Sequence, residues 1–279
     1  MELKSSKSQT NISANDENDL LINLSNIKPY YQWGWKSKPI VIFIHGFSSN
    51  YESHARIFKK FRFSGYKYYS FNLPGHGDNL SHDETEMKVS KYASLVSEFI
   101  FQNKLENIAL IGHSMGGAIA VMVNSLIPNL ISHLILEDPL NRKAFVINSN
   151  RIKQTIVGPK LDENNKNISL FKWIKNIKSR KKEYKNLFKD ILSLNTTKNI
   201  DIAYQKIENK PTLLMFGKND LIIPPKKSID YIAENAKNLK VCIFENSGHS
   251  PHLDEPELYY FQIINFLKNN KLNKKSSKS

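Results

Sequence analysis

IALIGHSMGGAIA, residues 108–120, is the stretch on which the fold turns. Ile108 to Ile111 form a short apolar run of the kind found in a strand buried on both faces, and the run stops at Gly112. Ala118, Ala120 and Val121 then carry an apolar helix back into the core. Between the two stands a single hydroxyl, Ser114, flanked at two residues on each side by Gly112 and Gly116. This Gly-x-Ser-x-Gly spacing at a strand-to-helix junction suits a serine held on a strained turn, where small neighbours spare the backbone a clash and leave Oγ exposed. A helix starting at Met115 would add its N-terminal dipole and free N–H groups beside that hydroxyl.

Working outward, similar apolar runs occur at Ile40–Ile44, Tyr68–Asn72, Leu134–Leu136, Thr212–Phe216 and Val241–Phe244. Helix-period segments separate them, such as Lys88–Leu105, with Tyr92, Leu95, Val96, Phe99 and Ile100 on one face, and Pro256–Leu267. Strands of this kind alternating with helices predict an α/β domain, a doubly wound and mostly parallel sheet covered on both faces. The alternation lapses between Asn141 and about Asn209, where the text becomes helical and Lys-rich. That length is too great for a plain loop and predicts a helical cap inserted after the strand ending near Asp138. The expected organisation is a core of 18–140 and 210–269, a cap of 141–209, and polar, disordered tails at 1–17 and 270–279.

The 279 residues suffice for a large core without metal or disulfide staples. The one cysteine, Cys242, reads as a buried strand residue of a protein in a reducing compartment. No apolar run reaches the roughly 20 residues of a membrane span, and the polar N-terminal segment lacks the apolar core of a signal peptide, so a soluble cytoplasmic protein is expected. The net charge of +14 comes almost wholly from lysine, with arginine only at 56, 62, 142, 151 and 180. Scattered Lys among many Asn reads as compositional bias, not as a specific nucleic-acid surface.

In an open parallel sheet, ligands gather at the carboxyl ends of the strands. Those ends carry His45-Gly46-Phe47-Ser48, Asn72-Leu73-Pro74-Gly75-His76-Gly77, the Ser114 turn, Glu137-Asp138-Pro139, Gly217-Lys218-Asn219-Asp220 and Ser247-Gly248-His249. A serine nucleophile needs a base, and His249, between the last strand and the last helix, is placed over the same edge as Ser114. His252 is the fallback. His54, His82 and His133 read as surface or packing residues, and His45, His76 and His113 as local hydrogen-bonding or packing groups. The base needs a carboxylate to fix its tautomer; Asp220 is favoured, with Asp138 as the alternative. The order Ser114, Asp220, His249 is that of the α/β-hydrolases.

These residues resemble the α/β-hydrolase superfamily, and more narrowly its esterase/lipase and monoacylglycerol-lipase-like members. The likeness is carried by His45-Gly46-Phe47, Leu73-Pro74-Gly75-His76-Gly77, Gly112-His113-Ser114-Met115-Gly116-Gly117, Gly217-Lys218-Asn219-Asp220 with Pro224, and Ser247-Gly248-His249, in the family's order. It implies an oxyanion hole from the backbone N–H groups of Phe47 and Met115, a catalytic triad of Ser114, Asp220 and His249, and no cofactor or metal. Asn72 departs from the family, many members of which have Asp before the Pro-Gly-His-Gly turn. The apolar side chains of Phe47 and Met115 suit an ester with an apolar acyl group.

The expected reaction is hydrolysis of a carboxylic ester through an acyl-enzyme on Ser114. Aminopeptidase, thioesterase and perhydrolase relatives share the same triad, and a non-catalytic binding protein on this fold is the reading from another class. In the cap, aromatic and aliphatic residues recur at helical spacing among bases from Leu170 to Lys185. They fit a helix packed on the core, or a lid making weak contact with an anionic membrane surface.

Overall fold

The computed structural model describes residues 29–33, 39–79 apart from 55, 56, 58, 59, 62 and 63, 87–145 and 181–270. Seven strands form one sheet: β1 (Pro29–Trp33), β2 (Ile40–Ile44), β3 (Lys67–Phe71), β4 (Ile108–His113), β5 (Ile131–Glu137), β6 (Thr212–Gly217) and β7 (Leu239–Phe244). Their spatial order is β1-β3-β2-β4-β5-β6-β7. The six strands from β3 to β7 are mutually parallel, and β1 pairs antiparallel with β3. The α/β-hydrolase class expected from the sequence is therefore the observed one. β1, PYYQW, was not foreseen, because it carries neither the apolar run nor the following helix that marks the parallel strands.

Alternate residues of each central strand feed two cores. Ile40, Ile42 and Ile44 of β2 point into one, with Leu110 of β4; Val41 and Phe43 point into the other, with Ala109 and Ile111. The first core is covered by α1 (Val89–Gln102), α2 (Met115–Leu126) and two helices of the segment between β5 and β6, α3 (Lys181–Ile191) and α4 (Leu194–Gln205). α5 (Pro225–Ala233) adds Tyr231 and Ile232 to the same core. The second core is closed by the last helix, α6 (Pro256–Asn269), through Tyr259, Ile263 and Phe266. With each buried aliphatic side chain contributing about 1.5–3 kcal/mol, this two-sided burial explains why the inner strands are mostly apolar, β2 at every position.

α3 and α4 lie within the expected insertion, and Leu187, Ile191 and Ile200 anchor them in the first core. Asp190 of α3 supplies a second tie: its Oδ2 accepts from the Val89 N–H at the start of α1, and its Oδ1 from the Thr196 hydroxyl. Residues 146–180, including most of the basic stretch read as a possible lid, lie outside the described residues, as do both tails up to residue 28 and beyond residue 270, and His82.

Cys242 corrects one expectation. It is half-buried, not buried: among the described residues β7 is the edge strand of the sheet, and partial burial raises the Cys242 thiol pKa. Among the described residues no helix is long and apolar enough to cross a membrane.

Candidate active site

The Ser114 turn is built by close backbone approach. A Cβ on Gly112 would lie 2.3 Å from the Gly116 carbonyl oxygen, and one on Gly116 would lie 2.1 Å from that of Ile44. Only glycine lets β4, the turn and the end of β2 meet this tightly. Ser114 itself has φ 55° and ψ −118°, a left-handed backbone in which a non-glycine residue is strained by about 1–3 kcal/mol. Its N–H donates to Glu137 O at 2.9 Å, and its carbonyl accepts from Gly117 and Leu140, so both neighbours hold the strain in place. Ser48 and Asp138, at two other strand exits beside this turn, also have positive φ, 60° and 39°.

Ser114 Oγ lies 2.9 Å from His249 Nε2, and His249 Nδ1 lies 2.8 Å from Asp220 Oδ2. An ionised carboxylate can only accept, so Nδ1 carries the proton and Nε2 is left to accept from the serine hydroxyl. Asp220 is oriented by its own loop: its Oδ1 accepts from the N–H groups of Ile222 and Ile223 at 2.7 and 3.0 Å. The loops after β6 and β7 press together, since a Cβ on Gly217 would meet the Gly248 carbonyl oxygen at 1.8 Å. Downstream acids pin the His249 loop, with Asp254 accepting from Gly248 N–H and Glu255 from Ser247 Oγ and Asn246 N–H. Burial lowers the His249 pKa, but the Asp220 charge and hydrogen bond, with Glu137 adding to them, more than reverse this and leave it above the usual histidine value.

The His45-Gly46-Phe47 loop lies against the turn, a Cβ on Gly46 falling 3.1 Å from that of Ser114. Met115 opens α2, where backbone N–H groups have no intrahelical acceptor. The Phe47 ring packs on Tyr184 and Phe188 of α3, with centroids 5.2 and 6.1 Å away, so the cap meets the core at this loop. Next to it opens a cleft of about 390 Å³ lined by Ser48, Asn50, Tyr51, Asn72, Asp78 and Tyr184. Asn72, the departure from the family pattern, braces this wall: it accepts from Tyr51 N–H and donates to Asp78.

The other histidines are occupied elsewhere. His45 Nε2 accepts from Leu73 N–H, burial lowering its pKa to about 4. His76 Nδ1 lies 3.1 Å from Pro74 O, and His133 is buried in β5 with its pKa lowered to about 4. His113 Nε2 donates to the carbonyl of His249, and burial lowers its pKa to about 3. His252, the fallback base, turns away from Ser114 to donate Nδ1–H to Glu137 Oε1 at 2.7 Å.

Glu137 was not singled out in the sequence. Fully buried at the end of β5, it also accepts from His252 N–H and Tyr259 O–H, and His54 Nε2 lies 3.4 Å away. A Glu closing an apolar strand was the signal available. His54, Glu137 and His252 bring ligand-type atoms within 4.8 Å of one another, as do His113, Asp138 and His249. In both groups most of these atoms are already engaged in the hydrogen bonds described above.

Comparison with known proteins bears on the family and the fold. The family described as serine aminopeptidase, S33, matches residues 36–257. The chain belongs to that hydrolase family. As an S33-family member it is 39% identical over 243 residues to "Putative esterase/lipase 2" of Mycoplasma genitalium, covering 84% of this chain and 91% of that one. It is 36% identical to the protein of the same name from Mycoplasma pneumoniae, over 84% of this chain and 90% of the other. Among solved structures, a "putative lipase" of Acinetobacter baumannii superposes with a TM-score of 0.73 at 22% identity, covering 96% of this chain and all of that one. This S33-family chain is thus an esterase/lipase-like α/β-hydrolase.

Proposed function

We propose that the protein hydrolyses carboxylic esters through an acyl-enzyme on Ser114. The observation that carries this reading is the line of hydrogen bonds from Ser114 Oγ through His249 to Asp220, at 2.9 and 2.8 Å. Ser114 Oγ attacks the ester carbonyl while His249 Nε2 takes its proton, and Asp220 stabilises the imidazolium. The N–H groups of Phe47 and Met115 receive the oxyanion. The carbonyl–oxygen bond to the leaving alcohol then breaks as Nε2 returns the proton to it. A water molecule, deprotonated by the same nitrogen, releases the acid and regenerates Ser114. With 18% of its side chain exposed, His249 is within reach of an entering water.

The aromatic surface of Phe47, Tyr184 and Phe188 supports an apolar acyl group. The polar cleft beside it, with Ser48, Asn50 and Asp78, supports an alcohol moiety bearing hydroxyls. A fluorophosphonate probe should label the parent chain and leave Ser114→Ala unlabelled; equal labelling of both would remove the nucleophile assignment. A series of p-nitrophenyl and glycerol esters, run against peptide and acyl-thioester substrates, should rank the esters highest. Preference for a peptide or thioester would assign the same residues to the aminopeptidase or thioesterase branch.

A further inference from the structure

The cleft beside the Phe47 loop runs against the charge of the chain. The sequence carries 40 Lys and Arg against 26 Asp and Glu, yet the described residues lining this space of about 390 Å³ include two acids, Glu52 and Asp78, and no base. Glu52 lies in the helical turn Tyr51–His54 after β2, Asp78 in the loop after β3, and Tyr184 on α3. Both acids act on one phenol. Partial burial, then the charge and hydrogen bond of Glu52 and the charge of Asp78, hold the Tyr51 hydroxyl above its usual pKa.

Asn72 aims one of these acids. Its amide donates to Asp78 Oδ1 while its amide oxygen accepts from Tyr51 N–H. The Asp that many members of the family carry at this position would set a second carboxylate against Asp78; the amide instead supplies a donor. Ser48 adds a polar group that lacks a protein partner: it lines the cleft, is 6% exposed, and its Oγ makes no hydrogen bond. A buried hydroxyl left in this way is unfavourable until a ligand or water meets it. Ser48 directly follows Phe47, so the cleft begins one residue from the N–H assigned to the oxyanion. With the acyl group on the Phe47 and Phe188 wall, the alcohol side of the ester is the part that reaches it.

We propose that this cleft receives an ammonium group carried on the alcohol of the ester, so that the preferred substrates are esters of amino alcohols. Glu52 and Asp78 supply the attracting field, and the Tyr51 and Tyr184 rings accept a cation whose methyl groups leave it without N–H donors. The Ser48 hydroxyl, turning about χ1, meets an oxygen of the bound ester. Both acids are exposed at the mouth, so the attraction is screened by salt.

This assignment rests on the ester-hydrolase reading, and the test separates the two. The ratio of kcat/KM for butyrylcholine to that for neohexyl butyrate, in which carbon replaces the charged nitrogen, is measured for the parent and for the Glu52→Gln, Asp78→Asn double variant. Comparing the two chains cancels the intrinsic reactivity of the esters. At low ionic strength the ratio should be roughly fivefold or more higher in the parent, and it should shrink as salt is added. Equal ratios in the two chains would overturn the ammonium site and leave the esterase reading standing. Ser48→Ala, which alters no charge, should keep the ratio within about twofold of the parent; a fall as large as that of the double variant would overturn the charge argument. Saturation-transfer NMR with choline chloride on the full chain needs no turnover. Transfer to the choline methyl protons should be seen in the parent and lost in the double variant. Its absence from the parent would overturn the site even if esters are cleaved, whereas a parent that binds choline but takes up no fluorophosphonate would overturn the esterase reading and, with it, the substrate class.

Discussion

The Gly116 Cα sits so close to the end of β2 that a Cβ added there would lie 2.1 Å from the Ile44 carbonyl oxygen. The obstacle is backbone, which cannot rotate aside, so Gly116→Ala must push α2 away from the sheet. Overpacking of a well-filled core costs about 1–3 kcal/mol, and here the displaced element is the one that carries Ser114. Gly116→Ala is expected to lower the melting temperature by several degrees and to slow fluorophosphonate labelling more than tenfold. Thermal melts and labelling kinetics on the same samples check both; a variant that labels at the parent rate would show that the turn tolerates the shift.

The pH dependence follows from His249. Acylation needs Nε2 unprotonated, so the rate falls as pH drops through the His249 pKa, which the Asp220 and Glu137 charges place above the usual 6.5. The acid limb of kcat/KM should therefore lie above pH 6.5. Glu137→Gln removes one of the two supporting charges while keeping an acceptor for His252 N–H. Its acid limb should move to lower pH. An unshifted limb would mean that Glu137 acts on the site through packing alone.

Asp190 ties α3 to the start of α1. The residue preceding that helix, Lys88, offers no side-chain cap, and Asp190 Oδ2 accepts from Val89 N–H at 3.0 Å in its place. An acid at a helix N-terminus satisfies an orphan donor and complements the helix dipole. Asp190→Ala should cost about 1 kcal/mol of stability by denaturant unfolding, with Asp190→Asn recovering part of it. A larger effect of Asp190→Ala on ester KM than on stability would mark α3 as part of the substrate wall.

How much of this was legible beforehand depends on whether chemistry or contact decided the matter. The parallel strands were readable because burial on both faces forces runs such as Ile40–Ile44, and the Ser114 turn because glycine spacing encodes close backbone approach. β1 was not, since an antiparallel edge strand needs neither signal. Ser114, Asp220 and His249 were candidates by their strand exits, and the structure brings those three within hydrogen-bonding distance. Asp138 was visible as an alternative acid, but its neighbour Glu137 was not assigned a partner. Its acceptors are filled from His252 and Tyr259, 115 and 122 residues downstream, and no local pattern records a contact of that range.

The aromatic wall yields the last prediction. Tyr184 is buried against both Phe47 and His76, ring centroids 5.2 and 5.3 Å apart, whereas Phe188 touches Phe47 from a position 44% exposed. Aromatic pairs contribute about 0.5–1.5 kcal/mol beyond the area they bury, so the two residues should differ in what their removal costs. Tyr184→Ala unseats the loop that carries the Phe47 N–H, and it should lower kcat on every ester regardless of chain length. Phe188→Ala only shortens the wall. It should leave kcat on acetate esters near the parent value and raise KM for longer acyl chains by roughly threefold to tenfold. A chain-length series on both variants separates the effects. Uniform losses in Phe188→Ala would place the acyl chain elsewhere and make this wall a structural joint between cap and core.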